Sequence, residues 1–150
     1  MVFPLDRVAV GFDVGTVPHT DVRRFTAACH EVEAALGEPV EELTPRRYPD
    51  MFHSATIGTH TVLCHLHRPV VAVVQRGAGL RCPGEGSTPG RFLDPPWWAA
   101  GFATAGFDVL GPDELDVPLG RADTTALTRA DRDRIRWWSA TTVGEVLFDS

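Results

Sequence analysis

The chain contains no lysine and no asparagine, so all 14 of its basic residues are arginine. Without lysine there is no amine for a Schiff base, no anchor for pyridoxal phosphate and no lysine of a phosphate-binding loop. The motifs G-x-S-x-G and H-E-x-x-H are also missing, which disfavours a serine-triad hydrolase and a zinc protease of that type. We therefore expect no cofactor, and any covalent nucleophile must come from another residue type.

The sequence is poor in cysteine, and Cys29, Cys64 and Cys82 are widely spaced with no C-x-x-C pair. This spacing favours free thiols in a reducing compartment over a structural zinc site or a redox motif. No run of eighteen apolar residues occurs, and the first residues lack a basic segment followed by an apolar one. We expect a cytoplasmic protein without a membrane partner.

The formal net charge is -6, and nothing resembles a basic stripe, which disfavours nucleic acid as a partner. The cluster Arg136-Trp137-Trp138 is interpreted as the packing edge of a helix rather than a base-stacking surface. The length of 150 residues and the 43% hydrophobic content are typical of one domain with a true core. We predict a single α+β domain over residues 1–150.

The first half of the chain shows two clear periods. Apolar residues alternate over Arg7–Val14, which predicts a strand. An apolar stripe at helical spacing predicts a helix from a cap at Thr20 to Leu36, ended by Gly37. Residues 38–54 read as a connection with three prolines.

Two further strands are predicted in the middle of the chain. The first runs over Ala55–Leu66 with a bend or bulge at Gly58. The second, Val70–Gln75, begins with the apolar run V-V-A-V-V, as in a strand buried on both faces. Residues 76–92 form a glycine-rich loop, either mobile or a lid over a site.

The second half predicts a helix that opens at Pro95-Pro96, a short strand over residues 107–110 and two terminal helices. Thr128 with Asp131, and Thr142 with Glu145, have the spacing of capping boxes for those two helices. The order of the first six elements is that of the ferredoxin-like βαββαβ fold. We therefore expect a four-stranded antiparallel sheet with its helices on one face.

In that arrangement Asp13 and His65 share the uncovered face of the sheet, on either side of the central third strand. A carboxylate and an imidazole across a pocket are suited to general acid–base catalysis near neutral pH. We predict Asp13 and His65 as catalytic residues. The alternatives for this face are a solvated surface and a homodimer interface.

Four more residues are predicted to bind the substrate. Alternation along the second strand places Thr61 and His67 on the face of His65. Trp97 and Trp98 follow the glycine-rich loop and are candidates for an aromatic wall, although a core role competes with this interpretation. His65 and His67 form an H-x-H pair that could ligate a metal. This pair has no third ligand at a diagnostic spacing, so we predict that no metal is bound.

Two functions remain open. The first is a cofactor-independent enzyme that uses acid–base catalysis on an aromatic or amine-bearing metabolite, in an isomerisation, condensation or cyclisation. The second is an acidic protein-binding module of immunity or accessory type, without catalysis, whose partner is a basic protein. A concave pocket on the predicted face would favour the first function, and a flat, acidic, hydrated surface there would favour the second.

Overall fold

The computed structural model describes residues 3–12, 17–44, 52–76, 92–137 and 140–148. These residues form a mixed α+β arrangement. Its strands belong to one sheet: β1 (Val40–Thr44), β2 (Phe52–Ile57), β3 (His60–His65), β4 (Val70–Gln75) and β5 (Asp108–Leu110).

Helices occur mainly at the start and in the last third of the described chain. They are α1 (Val22–Leu36), α2 (Ala100–Thr104), α3 (Pro112–Leu115), α4 (Arg129–Trp137) and α5 (Val143–Phe148). Two short 3₁₀ turns, Trp97–Ala99 and Leu119–Arg121, precede α2 and α4.

The strands lie in the order β1-β2-β3-β4-β5. The first three neighbouring pairs are antiparallel and the pair β4–β5 is parallel. The sheet of the described residues is therefore mixed, and it does not have the ferredoxin-like antiparallel order that we predicted. The strand Val70–Gln75 is confirmed, with a neighbour on each side.

The ferredoxin-like prediction depended on a first strand at Arg7–Val14, and residues 7–12 form turns instead. The Asp6 carboxylate accepts a hydrogen bond from the Ala9 N–H at 2.8 Å, and the Asp6 carbonyl accepts one from Val10 at 3.1 Å. Gly11 has φ 82°, a left-handed conformation that residues with a side chain disfavour. A local acceptor therefore outweighed the alternating pattern.

The predicted strand Ala55–Leu66 is two strands joined by a tight turn at Gly58-Thr59. Gly58 has φ 59° and allows the chain to reverse there, where we expected a bend or bulge within one strand. The preceding connection contains β1, which pairs with β2 through a register shift between Val40 and Glu42.

The predicted first helix is confirmed as α1. Its N-cap is Asp21, whose carboxylate accepts from Arg23 N–H at 2.9 Å, rather than Thr20. Gly37 ends the helix in the left-handed conformation, as predicted. The buried residues of α1 and α2, Cys29 among them, pack on one face of the sheet against strand residues that include Cys64.

The opposite face of the sheet is also covered, which corrects the expectation that all helices lie on one face. Residues 3–12 and the helices α3, α4 and α5 contribute to a second core on that side. Its buried side chains include Leu5, Ala9, Phe12, Leu63, Leu115, Ile135, Leu147 and Phe148. Leu5, Ala9 and Phe12 have helical spacing, so one side of the turn faces this core.

Both terminal helices form at the predicted positions. Thr128 and Asp131 make a reciprocal capping box, with both bonds at 3.1 Å. Glu145 donates its N–H to Thr142 Oγ1 at 3.3 Å, while its carboxylate accepts from Thr141. The cap-like spacings in the sequence therefore identified both helix starts.

The packing of α5 predicts that Gly144→Ala destabilises the fold. A Cβ atom on Gly144 would lie 2.3 Å from Cε2 of Phe92, a ring that is itself in the core. In an open helix alanine would stabilise by about 1 kcal/mol, but overpacking costs about 1–3 kcal/mol. Because three ring atoms of Phe92 lie within 3.0 Å of the added Cβ, the overpacking cost should be in the upper part of that range, and we expect urea denaturation to show a net loss of about 1–2 kcal/mol.

Gly120→Ala is the matched control, because no atom outside its neighbours lies within 4 Å of its added Cβ. That variant is expected to stay within about 0.5 kcal/mol of the parent. Equal or increased stability of Gly144→Ala would contradict the packing described for α5.

Candidate functional site

His65 is the best-defined of the predicted site residues. It lies at the end of β3 and is completely buried, at 0% exposure. Its Nε2 lies 2.8 Å from the carbonyl of Ala9, and its Nδ1 accepts from the backbone N–H groups of His67 and Arg68 at 3.0 and 3.1 Å. Both ring nitrogens therefore have backbone partners.

These partners determine the tautomer of His65. Because Nδ1 faces two N–H donors, it carries a lone pair, and the ring proton is on Nε2, which donates to Ala9. Burial lowers the pKa of His65 from 6.5 to about 4, and the neighbouring positive charge of Arg68 acts in the same direction. At neutral pH the ring is neutral. A proton transfer to a substrate would first require breaking one of the hydrogen bonds between the ring and the backbone.

The hydrogen bonds around His65 belong to a larger junction between the β3–β4 connection and the two segments that flank residues 13–16. Arg68 forms an ion pair with Asp6, the residue whose carboxylate also holds the turn. His67 Nδ1 lies 3.3 Å from the carbonyl of Pro18, and Thr20 N–H donates to Leu66 at 2.6 Å. We call this set of contacts the His65 junction.

Thr61 is on the predicted face of β3, but the face is not open. Its hydroxyl lies 3.4 Å from that of Thr56 on the paired strand. Leu63, which follows on the same face, is fully buried in the core with residues 3–12 and α5. Strand alternation was therefore correct for Thr61 and His65, whereas the expectation of an uncovered face was wrong.

Trp97 and Trp98 do not lie with those residues. Trp98 is buried in the core under α1, and its ring packs edge-on to His60 at a centroid distance of 5.4 Å. His60 and Thr61 are adjacent in β3 and point to opposite faces, so Trp98 and Thr61 are on different sides of the sheet. Trp97 is 70% exposed.

The other predicted catalytic residue, Asp13, lies outside the described residues, as do Cys82, Trp138 and most of the glycine-rich loop. The pairing of Asp13 with His65 stays a prediction. Of the six predicted site residues, the structure brings together His65 and His67, whose ring centroids are 6.4 Å apart.

The described ranges contain neither a cluster of metal ligands nor a membrane-spanning helix. Within them, no group of three or more histidine, cysteine, aspartate or glutamate side chains is placed to hold a metal ion. No helix in that part of the chain has the length and apolar character to cross a bilayer. The absence of a metal remains a prediction.

The sequence analysis missed Asp6 and Arg68 as partners in the His65 junction. They are 62 positions apart and no local pattern links them. It also missed a cavity beside α4, although the composition of that helix, with four arginines in nine residues, was a usable signal.

Comparisons of this chain with protein-family models, with curated proteins and with solved structures found no match. The function of the chain is therefore inferred from its own residues.

The junction predicts that His65→Phe lowers stability strongly. The change removes the partners of the Ala9 carbonyl and of two N–H groups, and each buried polar group left unpaired costs about 1–3 kcal/mol. We expect a loss of about 3 kcal/mol or more in urea denaturation. His30→Phe, at an exposed position on α1, is the control and should change stability by less than about 0.5 kcal/mol.

His65→Gln retains one donor and one acceptor and is expected to lose less than His65→Phe. If His65→Phe were as stable as the parent, the junction would not hold the fold together.

The lowered pKa of His65 also predicts a pH dependence. The unfolded chain takes up a proton at this site near pH 6.5 and the folded chain only near pH 4, so stability falls as pH decreases through that window. His65 contributes roughly 3 kcal/mol to the free energy of unfolding, and this contribution is fully present above about pH 6.5. NMR should show a neutral His65 ring with the proton on Nε2 midway through the window, and a charged ring there would contradict this.

Proposed function

We propose that this chain is a protein-binding module of immunity or accessory type that acts without catalysis. The observation that carries the proposal is the hydrogen bonding of the His65 ring. Both of its nitrogens are bonded to backbone groups within the core. A histidine in this setting holds the fold together and has no lone pair directed at a substrate.

The covered face of the sheet supports the same proposal. The predicted pocket required space above Thr61 and His65, and that side is occupied by residues 3–12 and α5. A catalytic pocket needs a concave cavity with convergent polar groups. In the described part of this face the convergent polar groups bind one another.

Exposed aromatic rings give further support. Trp97 and Trp137 are 70% and 88% exposed, and tryptophan is enriched in the residues that dominate protein interfaces. The surface of the chain therefore offers more for a protein partner than the sheet face offers for a metabolite. The basic partner expected from the net charge remains a prediction.

The proposal predicts that the full chain selects specific peptides from a random peptide display library. We expect the recovered sequences to bind the purified protein by fluorescence polarisation and to compete with one another, because one surface carries the binding. A panel of aromatic and amine-bearing metabolites should leave the melting temperature unchanged, since a ligand stabilises only a protein that it binds.

The control variant is Asp13→Asn, which tests the acid–base enzyme in the same experiment. A metabolite that stabilises the parent, is turned over by it, and is no longer turned over by Asp13→Asn would overturn the binding-module proposal. Failure to select any competing set of peptides would do so as well.

A further inference from the structure

Helix α4 is basic in a chain that is acidic. Its nine residues contain four arginines and two aspartates, a balance of +2, so the rest of the chain carries -8. One of those aspartates, Asp131, is buried and lies 3.3 Å from Arg7 Nε. The outer side of α4 is therefore a positive surface within a negative molecule.

The orientation of α4 is fixed by contacts on its inner side. Ile135 is buried at 3% exposure, and the guanidinium of Arg134 lies over the Phe12 ring at 3.9 Å. Arg129, Arg132 and Arg136 are all exposed. Their spacing of three and four residues places them on one stripe of the helix.

A cavity of about 150 Å³ lies between this stripe and the preceding 3₁₀ turn. A volume of this size holds a benzene ring in an enclosed apolar cavity. Leu119 and Ile135 supply apolar walls, and Arg132 and Arg136 line the same space. The remaining lining residues are Gly120 and Thr124. An apolar space beside two guanidinium groups suits an apolar side chain flanked by carboxylates.

Helix stability accounts for only part of this arrangement: Arg136 is in the last turn, where the helix dipole favours a positive charge, whereas Arg132 is not. Like charges four residues apart, as in Arg132 and Arg136, destabilise a helix by a few tenths of a kcal/mol. The exposed pair of Arg136 with Asp133, at 3.6 Å, contributes little in return. Arg132 donates to the Leu127 carbonyl at 3.2 Å, which holds its guanidinium beside the helix start.

We propose that the outer side of α4 and the adjoining cavity dock an acidic segment of a partner protein. The segment inserts one apolar side chain between Leu119 and Ile135 and places carboxylates on Arg132 and Arg136. Trp137, next along the helix, adds an exposed ring of the kind found at interface centres. This inference rests on the proposed function, and at this surface it places an acidic segment instead of the basic partner that the net charge suggested.

The charge distribution favours an acidic protein segment over nucleic acid. A nucleic acid presents charge along its whole length, and the -8 carried outside α4 would repel a strand that extends beyond the helix. A short acidic segment engages the arginine stripe alone. The apolar cavity accepts a leucine or phenylalanine side chain, which a phosphate backbone lacks.

The test uses the peptides recovered by selection on the full chain. We expect them to combine aspartate or glutamate with leucine or phenylalanine. Their dissociation constants should rise about tenfold or more in Arg136→Gln and in Arg132→Gln, because each loses charge-assisted hydrogen bonds. Arg23→Gln, an exposed arginine on α1 that removes the same charge, should change binding less than about twofold. Circular dichroism melting checks that all three variants fold.

The outcomes separate this inference from the proposed function. Selected peptides that bind equally well to the parent, Arg132→Gln and Arg136→Gln, or that are basic, would overturn the α4 surface and leave the binding module standing. If no peptides are selected, the proposed function itself fails. A labelled single-stranded DNA that binds in an Arg136-dependent manner where the acidic peptides do not would overturn the inference in favour of a nucleic-acid site.

Discussion

The hydrogen bond between the His65 ring and the carbonyl of Ala9 joins positions 56 residues apart. On the other side of the same ring, two backbone N–H groups of the β3–β4 connection are satisfied. One neutral imidazole therefore supplies the hydrogen-bond partner of three backbone groups, two of them in fully buried hydrogen bonds. Residues 3–12 have little regular structure of their own, and their place over the sheet depends on this ring and on the Arg68–Asp6 pair beside it.

The turn that His65 holds also determines how the charged residues of α4 are displayed. Through Phe12 and Arg7, the turn that His65 holds also receives Arg134 and Asp131 of α4. The inner side of α4 is committed to the fold by these contacts. The other arginines of α4 are exposed, and of these Arg132 and Arg136 line the cavity, where their own contacts are with Leu127 and Asp133 close by in the chain. The surface of α4 that is available for a partner therefore consists of residues that do not contact the core.

Elements with a local cause were predicted well from the sequence. The apolar stripe of α1, the apolar run of β4, the capping box of α4 and the Thr142 cap of α5 each depend on residues within a few positions. The errors arose where a distant or competing contact decided the outcome. Alternation at Arg7–Val14 was overridden by the Asp6 carboxylate, and the cover over Thr61 and His65 comes from residues far away in the chain. No periodicity in a single sequence reports which segment will lie on a given face.

The two faces of the sheet also differ in the order in which they can assemble. On the α1 side, the helix and the strands β2, β3 and β4 follow one another closely along the chain. The other side needs residues 3–12 together with α3, α4 and α5, and the Leu5 N–H pairs with the Asp123 carbonyl across more than a hundred positions. Closing such a large loop costs chain entropy before any contact offsets it. The α1 layer also takes in Trp98 and Phe102 from later in the chain, but its helix–strand contacts are mostly the more local ones, and we expect them to form before those of the second layer.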